Sequence, residues 1–224
     1  MKLVFRSIIP LLLFLVLVPL LSKAQKWEYN IAVGTSGYMG EYNQDNIFEF
    51  NSLAGSVGAK YNFNSTWGVR GNLSMMEVKG DGKNLKASDL VDSVFKKTLK
   101  ELSISSEFNF FKFEPNTKKV AYTPYVNAGI GAILFDPEGA HGKAGTDIIR
   151  PVLLYGAGFK YNLKSSLSIK GELVYRSAFT DWLDSFASQQ DYESNKYGLE
   201  RMDSYMTLEI GLTYTFFKQG CPTW

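Results

Sequence analysis

A single histidine and a single cysteine bound the chemistry that this chain can perform. His141, within Gly139-Ala140-His141-Gly142-Lys143, is the only imidazole available as a general base. A catalytic triad would need a nucleophile and an orienting acid around it, and a glycine-rich loop holds neither in a fixed arrangement. The sequence therefore predicts a solvated loop histidine. Cys221 is alone, which excludes an internal disulfide and a multi-cysteine zinc site. Thr180-Asp181-Trp182-Leu183-Asp184, followed by Asp191 and Glu193, offers oxygen ligands without the spacing of an EF-hand. It reads better as a helix start, with Thr180 as the cap and Asp181 and Asp184 in the first turn. Gly80-Asp81-Gly82 is expected to be a turn, because no strand-to-helix motif surrounds it to make a phosphate cradle. No catalytic, cofactor-binding or metal residue is assigned, and no cofactor or small-molecule substrate is expected.

The elements that would position such residues start after an export signal. In the first 24 residues, Lys2 and Arg6 precede an apolar run from Ile8 to Leu21, and Ser22-Lys23-Ala24 places small residues at the −3 and −1 positions. The run is interrupted by Pro10 and Pro19, and it falls short of the ~20 residues needed to cross a bilayer as a helix. Residues 1–24 are read as a signal peptide. The formal charge of +2 includes Lys2, Arg6 and Lys23, so cleavage after Ala24 leaves 21 basic groups against 22 acidic ones. That balance argues against a nucleic-acid partner.

From Trp27 onward the chain alternates with period two, in eight segments. Trp27, Tyr29, Ile31 and Val33 oppose Glu28, Asn30 and Ala32, and the final segment sets Leu208, Ile210, Leu212 and Tyr214 against Thr207, Glu209, Gly211 and Thr213. The remaining six centre on Val57, Val69, Ile104, Val126, Ala157 and Ile169. Lys60, Arg70, Lys160, Lys170 and Arg176 fall on the polar face of their segments, and so do Glu28, Glu101, Glu107, Glu172 and Glu209.

A closed sheet of eight strands can turn its apolar face inward around a ligand, as in a lipocalin, or outward to lipid. Ten charges of balanced sign on the polar face favour the second arrangement, in which they neutralise one another inside. Aromatic residues gather at one common end of the segments, including Trp27, Tyr61, Trp67, Phe110, Tyr122, Tyr161 and Tyr214, as a girdle at a membrane interface would require. Connections alternate short and long without exception. Short ones run from Asn64 to Thr66, Glu114 to Ala121 and Lys164 to Ser166, and long ones from Met39 to Asn51, Glu77 to Lys100, Asp136 to Pro151 and Ser177 to Asp203. This matches periplasmic turns and external loops with both termini periplasmic. Within the second long connection, Ser88 to Leu99 carries an apolar stripe expected to form a short helix on the barrel rim. The fold class expected is all-β, an eight-stranded antiparallel up-and-down transmembrane β-barrel over residues 25–217. Residues 218–224 form a periplasmic C-terminal tail.

Several strings, in order and spacing, extend this reading. They are Gly37-Tyr38-Met39-Gly40-Glu41-Tyr42-Asn43, Tyr61-Asn62-Phe63-Asn64 with Trp67 and Arg70, Thr123-Pro124-Tyr125 running to Gly129-Ile130-Gly131 and Phe135-Asp136-Pro137, Tyr175-Arg176 with Phe179 to Asp184, and Cys221-Pro222. Together they resemble the PorG-like outer-membrane β-barrels of Bacteroidota. The resemblance implies a non-enzymatic component of type IX secretion and gliding that anchors periplasmic ring proteins of the PorK and PorN type to the outer membrane. The family also includes paralogues of unassigned role, so a structural or adhesin-like barrel is the alternative, and a lipid-modifying barrel enzyme a weaker one.

Overall fold

The computed structural model describes residues 27–39, 52–81, 94–113, 121–135, 148–179 and 203–216. They form eight strands: β1 (Trp27–Met39), β2 (Ser52–Asn62), β3 (Trp67–Asp81), β4 (Val94–Asn109), β5 (Tyr122–Phe135), β6 (Ile148–Lys164), β7 (Leu167–Ala178) and β8 (Asp203–Thr215). Each pairs antiparallel with its sequence neighbours, and β1 pairs with β8 from Glu28↔Thr215 to Met39↔Ser204, closing the barrel. Closure leaves no edge strand whose backbone groups would need another partner.

The period-two reading holds along all eight strands. Outward residues such as Val33, Leu53, Ile130 and Ile210 are between 62% and 74% exposed, whereas the ten charges named above are each at most 5% exposed. An apolar surface of this extent suits hydrocarbon rather than water. At the turn end, outward rings meet edge to face around the wall, as in Trp27 with Tyr61, Tyr29 with Phe216, and Phe111 with Tyr122.

The turns are made by local side-chain bonds. Between β2 and β3, the Asn64 Oδ1 accepts from the Thr66 N–H at 2.9 Å, the Trp67 N–H at 2.7 Å and the Thr66 hydroxyl at 2.8 Å. Asparagine is well suited to replacing a backbone turn in this way. Between β6 and β7 only Ser165 and Ser166 intervene.

Two local expectations are overturned at the opposite, loop end. The helix expected over Ser88 to Leu99 is strand from Val94 onward, paired with β3, while residues 88–93 lie outside the described set. The competing apolar stripe loses because Leu99, opposite Met76 inside the barrel, enters a buried cluster that a strand can reach. The turn expected at Gly80-Asp81-Gly82 likewise begins within β3, where Gly80 and Asp81 pair with Phe95 and Val94. The strands therefore run further past the apolar belt than the alternation alone suggested, and the outward charges Glu77 and Lys79 sit on that extension, 3.7 Å apart.

An arginine at Ile210, in the middle of the outward row of β8, should reduce the free energy of folding into lipid vesicles by about 2–4 kcal/mol. Glu77→Arg, beyond the belt, should change it by about 0–1 kcal/mol. Denaturant titrations of vesicle-inserted protein measure both, and equal effects at the two depths would refute the lipid-facing assignment.

Candidate functional site

The residues singled out for chemistry do not meet. His141, Cys221, Thr180 to Asp184, Asp191 and Glu193 lie outside the described residues. Among the described residues, no group of histidine, cysteine and carboxylate side chains could hold a metal. What the strands do bring together is the set of inward charges.

Glu107 of β4 is the hub of one cluster. Its Oε1 accepts from Lys60 Nζ of β2 at 2.9 Å and from Lys160 Nζ of β6, and its Oε2 lies 3.5 Å from Arg70 of β3. Lys60 also reaches Glu28 of β1 at 2.7 Å, and Asn62 donates to that carboxylate at 2.7 Å. Arg70 forms a two-point fork with Glu172 of β7, at 2.6 and 2.9 Å, and the Tyr125 hydroxyl donates to the same carboxylate. Planar fork geometry of this kind is the strongest form of the pair. Room for the Tyr125 ring is made by Gly158, where an added Cβ would lie 2.4 Å from the ring carbon Cζ. Lys160 sits over that ring, 4.6 Å from its centre.

A second cluster lies nearer the loop end. Arg176 of β7 approaches Glu101 of β4 at 2.8 Å and donates to Thr207 at 2.7 Å. The Tyr205 hydroxyl of β8 donates to Glu101 at 3.0 Å. Ser56 of β2 donates to Glu209 of β8 at 2.6 Å, a hydroxyl and carboxylate pair with no imidazole between them.

The arrangement follows from which charges are neighbours on the wall. Lys60 stands directly opposite Arg70, Lys160 opposite Lys170, and Glu172 opposite Glu209. Those three pairs repel, Glu28 opposite Lys60 is the attractive exception, and most of the ion pairs join strands that are not neighbours. Lys60–Glu107, Lys160–Glu107, Arg70–Glu172 and Arg176–Glu101 all join strands separated by at least one other, so the side chains cross the lumen and close it.

Above the second cluster the interior becomes apolar. Ala54, Met76, Val78, Leu99, Ile133, Phe135, Val152, Ala178 and Tyr205 form a buried cluster. This apolar layer lies beyond the ten charges that the sequence places inside. Lys97 and Asp203 are also buried at this end, and Lys97 lies 5.9 Å from the centre of the Phe135 ring. The missed residues had a signal. Carrying the parity of Glu101 back along β4 places Leu99 and Lys97 inside, and that of Glu209 places Tyr205 and Asp203 inside.

A sequence-family model described as "Domain of unknown function (DUF6089)" matches residues 6–223. The chain belongs to the DUF6089 family. No curated protein matches it. Among solved structures, this DUF6089 barrel is similar to the neisserial surface protein A, NspA, at 11% identity and a TM-score of 0.49, over 85% of this chain and 97% of that one. It is similar to OprG of Pseudomonas aeruginosa at 12% identity and a TM-score of 0.47, over 88% and 99% of the two chains. For Ail, the attachment invasion locus protein of Yersinia pestis, the values are 19%, 0.45, 85% and 99%. The family description brings no role with it. The membrane reading of this DUF6089 chain rests on its own two faces: a closed sheet with an apolar exterior and an ion-paired interior is the architecture of an outer-membrane barrel.

Removing one partner of the Arg70–Glu172 fork leaves a buried charge alone, so Arg70→Met and Glu172→Gln should each cost about 3–5 kcal/mol. Lys170→Met, which also relieves repulsion with Lys160, should cost less. Equilibrium unfolding from vesicles compares the three, and a larger loss at Lys170 would contradict the cross-lumen scheme.

Proposed function

We propose that this protein is a non-enzymatic, non-conducting outer-membrane anchor. Its work is done by the parts that project from the membrane, and the barrel fixes them in place. One observation carries this reading: charged side chains from β2, β3, β4, β6 and β7 meet across the lumen, with an apolar layer above them. A pore needs a continuous wet path. An enzyme of the lipid-modifying kind needs a nucleophile and base at an accessible surface, and the interior Ser56 and Tyr205 hydroxyls bond to carboxylates within the network.

The finer proposal concerns partners. The ordered strings given above support docking of periplasmic ring proteins of the PorK and PorN type at the turn end, in type IX secretion. In this orientation both termini, the short turns and the 218–224 tail face the periplasm, as is usual for barrels with short and long connections alternating. The described turns offer Ser65, Ser165 and Ser166 as exposed or half-exposed positions there. An adhesin-like barrel would instead work through the loop end.

Purified protein in planar bilayers should show no stable large conductance, and a sustained open level would refute the closed interior. Photocrosslinkers at Ser165 and Cys221 should capture ring proteins in intact cells, while one at Thr98 should not. Capture confined to Thr98 would favour the adhesin-like role.

A further inference from the structure

The outer wall carries a depression that the barrel itself does not need. Gly55 of β2, Met75 of β3, Lys100 of β4 and Leu134 of β5 follow one line of register across the sheet. With Leu102 and Ala132 beside them, they line a groove of about 580 Å³. That lies within the range of about 300–1,000 Å³ usual for ligand sites.

Its floor is open for a reason other than packing. On the inner wall, a Cβ at Gly129 or Gly156 would fall 2.1 or 2.5 Å from a carbonyl oxygen, so glycine is required there. At Gly55 the first atom met is the Ala32 carbonyl oxygen at 3.5 Å, an ordinary contact. The small residue at Gly55 therefore shapes the lipid-facing surface.

One cation marks the groove. Lys100 is exposed and points outward between Met75 and Leu134. Glu77, the outward carboxylate on β3, pairs with Lys79, and no ion pair among the described residues engages Lys100. Its depth is set by geometry. The ten-residue step from Phe110 in the aromatic girdle to Lys100 spans about 33 Å along the strand, or about 25 Å once strand tilt is included, the height of the apolar belt. Lys100 thus reaches the membrane interface at the loop end. An ammonium group there, above an apolar channel, complements a lipid whose headgroup is anionic.

We propose that this groove binds one phosphorylated glycolipid of the outer leaflet, of the lipid A class. An acyl chain lies over Gly55 and Ala132, and Lys100 holds a headgroup phosphate. The site rests on the outer-membrane reading, with the long loops outside.

The test uses protein purified from cell membranes and placed in phosphatidylcholine nanodiscs containing either phosphorylated lipid A or phosphatidylglycerol, followed by native mass spectrometry. The wild type should retain one lipid A. Retention should fall about tenfold in Lys100→Gln, the loss expected for one charge-assisted contact, and comparably in Gly55→Leu, which fills the channel. Both changes face outward, so both variants should keep the circular dichroism of the folded barrel. Unchanged retention in both variants would overturn the site. Equal, Lys100-dependent retention of phosphatidylglycerol would overturn the assignment to the outer-leaflet lipid. Protein that stays soluble without lipid or detergent would instead overturn the membrane reading, and would do so before any lipid is counted.

Discussion

An eight-stranded barrel has too little interior for water to solvate ten ions, so the ions must neutralise one another inside it. Most of the architecture answers to that constraint. Glu107 is shared between Lys60 and Lys160, and Glu172 is shared between Arg70 and the Tyr125 hydroxyl. Glycine appears on the inner wall where a side chain would collide with a strand or with Tyr125. The exterior is simple by comparison, because hydrocarbon asks only that a surface be apolar and that rings lie at its boundary.

The fold was legible because alternation in the sequence is the physical signature of a two-faced strand. All ten charges could be assigned to the interior from parity alone, and Tyr125 with them. Pairing was not legible. Which carboxylate meets which cation depends on how the strands stagger around the ring, and Arg70 and Glu172 are 102 residues apart in the chain. The loop end was misread because local apolar spacing at Val94, Phe95 and Leu99 suits a helix, and only the inward cluster with Val78 and Ile133 decides for strand. The histidine, the cysteine and the acidic segment from Thr180 fall on residues the structure does not describe, so they add nothing to the site.

The two ends of the molecule differ in kind. At the turn end the strands stop near the aromatic girdle, joined by turns as short as Ser165-Ser166. At the loop end β3 and β4 continue beyond the belt, carrying Glu77 and Lys79 outward over an apolar inner layer. The proposed anchoring role would need one face committed to the membrane and another free to meet partners, and this division is compatible with both. The outward groove beside Lys100 adds a third kind of surface, one whose shape the backbone does not impose.

The placement of like charges on neighbouring strands has a kinetic meaning. A β2–β3 hairpin alone brings Lys60 against Arg70, and a β6–β7 hairpin alone brings Lys160 against Lys170, so each unfinished sheet carries self-repulsion. Glu28 of the neighbouring β1 relieves Lys60 and Glu172 of the same strand relieves Lys170 in part, but the Arg70–Glu172, Lys160–Glu107 and Arg176–Glu101 pairs form only when strands from across the ring are in place. Much of the electrostatic reward is thereby deferred from isolated hairpins until the ring shuts, which favours cooperative insertion over a stepwise accumulation of strands.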